Sequence, residues 1–554
     1  MLSSTRALCA ALVCMSVVSA ARGAITTTGS VYDSGSDVYV AHLGPGTLTI
    51  DGGSVLDRDG GEVGHAAGQA GLATITGTGS AWNHTGQLEV GSAGDGTAIV
   101  SSGGSVSAKW CMIGVDSNVR GAVSVGGTNS TWTVTSSINV GRYGIGSVEL
   151  LSGATLATGG GHIGTYTGGN GSVKVYGGAT WNATGWHYIG SQGTGTVEIV
   201  GGATVTGGET EIGYHPGSNG TVTVLGSGST WSHTDDVSVA YRGRGTLNIL
   251  DGAAVTCDYG RVGYDNGVGE ATVSGAGSSW TSQSGLSIGG VSKPGRGTLT
   301  VRNGGVINSK SIATYNSQSK LIVHVTGNDV IVLGNASQAG VMVNHGTLRF
   351  YADASLAAGT YTPIADLLGR SLYWYNYGSY EAIGGVWNAS ARTFTVGATA
   401  ELAAGDVATV ASGERVQFTH ASSGASVGAS FGSVPGGTTF SAYLMSQADL
   451  NLLLGTPGVE GRVLAGWDFA TGLTGSNVLL SFNVGTGMSD IQAWHFDGST
   501  WTQVSPGQVG YDAAGNVNFT ASQFSGYAIT GVPEPATLCL LALGLPLLRR
   551  RRAG

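Results

Sequence analysis

The chain repeats itself. A short segment reading Gly-Thr-Leu-Thr-Ile at Gly46 recurs in related form at Gly71, Gly96, Gly121, Gly146, Gly171, Gly195, Gly220, Gly245, Gly269 and Gly297, in steps of 25, 25, 25, 25, 25, 24, 25, 25, 24 and 28 residues. A fixed period of this length marks a repeat architecture, in which each unit buries its apolar face only against its neighbours. A longer period overlays the first: Trp82, Trp132, Trp181, Trp231 and Trp280 fall 50, 49, 50 and 49 residues apart. Every second unit therefore carries a tryptophan, and the units between carry segments such as Gly201-Gly202-Ala203-Thr204-Val205.

A third element, Ile-Gly or Val-Gly, closes most units, as at Val63-Gly64, Ile113-Gly114, Ile163-Gly164, Ile212-Gly213 and Ile288-Gly289. Each unit then reads as three short strands of alternating apolar residues parted by Gly, Asn and Ser corners. The expected fold is all-β: a right-handed parallel β-helix, or β-solenoid, of ~25 residues per coil, followed by a small β-sandwich. About thirteen coils over residues 25–350, stacked at ~4.8 Å, would make a rod of roughly 60 Å. Glycine supplies corners with positive φ, so alanine at a corner is expected to break a coil. With 99 glycines but only 10 prolines the chain is no collagen, and 41 % hydrophobic content argues against disorder.

Beyond the repeats, residues 351–399 read as a solenoid cap or linker, with Tyr373 to Tyr377 as aromatic covering for the unpaired end coil. Residues 400–531 lack the period and read as a β-sandwich-like domain, with strands at Val478–Val484 and Ile491–Phe496. The Asp497-Gly498 pair suits a two-residue type I′ hairpin turn.

Both ends carry transport signals. Residues 1–24 open with Arg6, run apolar from Ala7 to Val18 and finish in Ser19-Ala20-Ala21, the form of a Sec-type signal peptide. Residues 532–554 read Val-Pro-Glu-Pro, an uncharged run from Ala536 to Leu548, then four arginines. The run is shorter than the ~20 residues of a comfortable membrane span, though the arginines would hold its end on the cytoplasmic side.

Pro533-Glu534-Pro535, the short apolar segment and Arg549, Arg550, Arg551 and Arg552 resemble a PEP-CTERM sorting tail. That resemblance implies a short transmembrane helix, cleavage near the motif by an exosortase-type membrane protease, and release to the cell surface or extracellular matrix. The repeats resemble those shared by PEP-CTERM proteins and autotransporter passenger domains. The chain departs from an autotransporter in ending in arginines, with no room for a membrane barrel.

Little in the sequence points to chemistry. Three Gly-x-Ser-x-Gly matches, starting at Gly285, Gly424 and Gly428, lack strand-turn-helix surroundings. Asp57-Arg58-Asp59 with Glu62 and His65, and Asp235-Asp236 with His233, are the densest acidic clusters, each readable as a solvated corner. No catalytic residue, metal ligand or cofactor is expected. Cys111 and Cys257 lie about six units apart, too far for a disulfide, and no zinc-type spacing occurs. No basic stripe exists for nucleic acid. The five tryptophans form a ladder on one corner: exposed, it would stack on sugar rings; buried, it is packing.

These readings lead to one expectation. The chain is an exported, non-enzymatic structural or adhesive surface protein. Its partners are the Sec machinery, an exosortase and exopolysaccharide, and it meets the membrane only through its tail. The alternative is a polysaccharide-binding or polysaccharide-degrading β-helix.

Overall fold

The computed structural model describes residues 23–533, apart from 291, 292, 294, 474–477, 513 and 522. Residues 1–22 and 534–554, and with them most of both transport signals, lie outside the described residues.

The repeat is a parallel β-solenoid of about twelve turns of ~25 residues. Its first ladder stacks the strands beginning at each repeat glycine, in parallel and in unbroken register: Gly96 pairs with Gly71 on one side and Gly121 on the other. Burial alternates along these strands, as in Asp95–Ser101 and Arg120–Gly126, so one residue in two enters the coil. Two further ladders complete each coil. In several coils a single strand runs round the corner between them, as Ser105–Ile113 does, with the register slipping between Ala108 and Trp110.

Stacking does not stop at residue 350. Tyr373–Asn376 pairs in parallel with Val341–Asn344, and Ser379–Ile383 with Thr347–Tyr351. The aromatic run expected to cap the rod is thus a strand of the last coil. The covering is a three-stranded antiparallel sheet of Gly359–Tyr361, Thr393–Val396 and Val386–Asn388, which drives Phe394 and Val396 into the core. At the opposite end Ile25–Gly29 runs antiparallel to the first repeat strand, and Val31–Asp33 to Asp37–Val40. Both sheet ends are so occupied.

Glycine acts in two ways here. The Ile/Val-Gly corners do have positive φ, for example +68° at Gly141. Alanine nevertheless takes that corner at Ala41 and Ala240, with φ of 65° and 63°, so a corner alanine does not by itself break a coil. The repeat-opening glycines are not left-handed. They are required by proximity: a Cβ on Gly121 would lie 2.1 Å from the Val90 carbonyl oxygen and 2.3 Å from the Gly114 nitrogen.

The C-terminal domain is a sandwich of two six-stranded sheets around a Phe-rich core containing Phe418, Phe440, Phe482 and Phe519. Its last strand, Gly526–Pro533, ends on the first residue of the Pro-Glu-Pro motif. At Asp497-Gly498 the strands join through four residues rather than two. Phe496 faces Trp501, and the Asp497 carboxylate accepts hydrogen bonds from the Ser499 and Thr500 amides, closing the turn without a left-handed aspartate.

Candidate functional site

The tryptophan ladder is internal. Trp132 stands in register between Val106 and Leu156, and Trp231 between Val205 and Val255. All five indoles are at most 3 % exposed, so the column offers no face to a sugar. The intervening coils supply Val or Leu at the same position. Two of the indoles pair within the column: Trp181 Nε1 donates to Thr158 Oγ1 at 3.0 Å, and Trp280 Nε1 to Cys257 Sγ at 3.4 Å. Cys111 and Cys257 are buried free thiols, each pushed up to about 12 by burial.

The outward face of the third ladder is more distinctive. Strand alternation places His162, Tyr188, Glu211, Ser238 and Arg261 in one row across successive coils. Beside it lie Tyr214, Tyr241 and Tyr264, each following a corner residue. Their rings make a continuous stripe, with centroids 4.6 Å apart for Tyr188 and Tyr214, and 5.5 Å for Tyr214 with Tyr241 and for Tyr241 with Tyr264. The guanidinium groups of Arg242 and Arg261 lie over Tyr241 and Tyr264.

Glu211 lies beneath this stripe. Only 5 % of it is exposed, and its Oε2 has no hydrogen-bond partner. Burial, reinforced by Glu209 two residues away, pushes its carboxyl up to about 7. It is therefore poised to hold or release a proton near neutrality, the property sought in an acid–base group. Sequence reading missed the stripe, although its signal was present: Tyr188, Tyr214, Tyr241 and Tyr264 follow one another at 26, 27 and 23 residues.

The acidic clusters dissolve into local pairs. Arg58 pairs with Asp33, Asp57 accepts from Asn83 Nδ2 at 2.9 Å, and Glu62 meets His65 at 2.8 Å. Asp236 pairs with Arg261 at 2.7 Å, while His233 points into the coil and bonds the Gly208 carbonyl at 2.8 Å. Ser287, Ser426 and Ser430, the central residues of the Gly-x-Ser-x-Gly matches, all lie within β-strands. Among the described residues no cluster of His, Cys, Asp and Glu has the makings of a metal site.

Of the sorting motif only Pro533 is described, paired with Met488 at a strand end; Glu534, Pro535 and Arg549 to Arg552 lie outside the described residues. No described helix is long and apolar enough to cross a membrane. No protein family, curated protein or solved structure matches the chain.

Proposed function

We propose that the protein is exported, sorted by its PEP-CTERM-like tail to the cell surface or exopolysaccharide matrix, and serves there as a non-enzymatic structural or adhesive rod. The observation that carries this reading is the unbroken coil, its ends covered, with its large aromatic column spent on internal packing. Such a coil supplies length and stiffness at low sequence cost, and its exposed Ser and Thr rows suit a hydrated matrix. Export rests on residues 1–24, and processing on Pro533-Glu534-Pro535 with the terminal arginines. Incubating the mature protein with a polysaccharide panel tests the non-enzymatic part: no new reducing ends or unsaturated products are expected, and turnover overturns it.

One observation favours a second reading, a polysaccharide-binding or polysaccharide-cleaving β-helix. Glu211, with Glu209 beside it under the tyrosine stripe, has the environment of a proton-transferring carboxyl. If that reading holds, any turnover in the panel disappears in Glu211→Gln while the fold survives.

A further inference from the structure

Where the sandwich leans on the first ladder it leaves a cleft of about 550 Å³. The volume lies within the range of small-molecule sites, about 300–1,000 Å³. The two domains are fixed around it by Asn303 Nδ2 donating to the Tyr511 carbonyl at 3.1 Å, and by Thr520 Oγ1 bonding Tyr351 Oη at 3.4 Å.

Register determines the floor. Outward residues of successive coils fall in rows, so Ser274 pairs with Arg302, Thr272 with Thr300, and Thr298 with Lys320. Arg302 is the anomaly. It is 8 % exposed, its Nε has no partner, and no carboxylate pairs with it among the described residues. Burial lowers it only to about 10, so it keeps its charge at neutral pH. A guanidinium removed from water without a counter-charge is strongly unfavourable, and a fold retains one where something else supplies the anion. Gly510 helps to seat it: a Cβ there would lie 3.2 Å from Arg302 Cδ.

The surroundings define the missing anion. Lys320 adds a second cation, without an ion pair among the described residues, and Arg349 a third that is held by Glu381. Among the described residues Glu270 is the one carboxylate lining the cleft, and His324, pushed down to about 3 by burial and by Arg302, is neutral. The remaining polar lining is hydroxyl and amide, including Thr298, Thr300, Thr520 and Gln508. A guanidinium takes a carboxylate in bidentate fashion, and hydroxyl and amide rows take a polyhydroxylated body.

We propose that this cleft is a binding site for a carboxylate-bearing saccharide, a uronic-acid unit whose carboxylate pairs with Arg302 and whose hydroxyls meet the Thr rows and Gln508. The inference goes beyond the surface-rod reading and does not rest on it.

Calorimetric titration of the full chain with trigalacturonate, cellotriose and sodium sulfate tests the proposal. Trigalacturonate is expected to bind, cellotriose at least about tenfold more weakly, and Arg302→Met to reduce trigalacturonate binding by about tenfold or more while leaving the melting temperature unchanged or raised. Should Arg302→Met fail to fold, Lys320→Met and Gln508→Ala must each weaken binding. Equal binding of cellotriose, equal or tighter binding of sulfate, absence of trigalacturonate binding, or indifference to these substitutions would each overturn it.

Discussion

The indole of Trp231 stands edge-on to the imidazole of His233, two residues along the same strand, with ring centroids 4.4 Å apart inside the coil. Trp82 and His84 lie similarly close, at 4.7 Å, with their rings tilted rather than edge-on. A histidine in that position is held neutral, because charging it would place an uncompensated cation in the core.

Acid should therefore unwind the rod. Burial pushes His84, His187 and His233 down to about 4, from an ordinary 6.5. Between those values the unfolded chain takes up the proton and the folded chain does not. Stability is thus full above pH 6.5 and lost as pH falls toward 4, by roughly 3 kcal/mol for each histidine. Glu211 works the other way, since its folded value of about 7 lies above the ordinary 4.5 and its contribution declines as pH rises between them. The histidines outnumber it. Urea unfolding at pH 7.5, 6 and 4.5 is expected to show falling stability, and His233→Gln to flatten the slope by about one proton.

Trp132→Ala should cost roughly 3–5 kcal/mol, as truncation of a buried aromatic leaves a cavity. Trp132→Leu should cost less, because Leu156 already fills the same column position one coil on. Chemical denaturation of both variants measures the difference. Equal costs would mean that size complementarity between levels does not govern the column.

Gly121→Ala should destabilise by about 3 kcal/mol through backbone overlap with the neighbouring coil. Gly168→Ala is the control: φ is +88° but nothing lies within 4 Å of the new Cβ. It should cost only about 1–2 kcal/mol of conformational strain. Thermal melts of the two variants should separate clearly.

The coil was legible because one glycine per unit must sit where no Cβ fits, and that necessity prints a 25-residue period on the chain. The column of Trp82 to Trp280 was legible as spacing, but its inward direction was not. A residue of a strand faces in or out by parity alone, and only the register with Val106, Leu156 and Val205 settles which. The end of the stack is hard to place from sequence because the period fails there: the positions equivalent to Gly297 are Ser319, Gly346 and Gly378, in steps of 22, 27 and 32 residues, and the first of them has lost its glycine. The tyrosine stripe and the Arg302 cleft escaped notice because each is assembled from single residues on separate coils, and the cleft needs a second domain as well.

Mass spectrometry of the protein recovered from the surface of its native host decides whether an exported rod is released by cutting its tail. The expected chain begins near Ala21 and ends close to Pro533-Glu534-Pro535, without the apolar run or the arginines. A surface protein that retains Leu538 to Arg552 would contradict it.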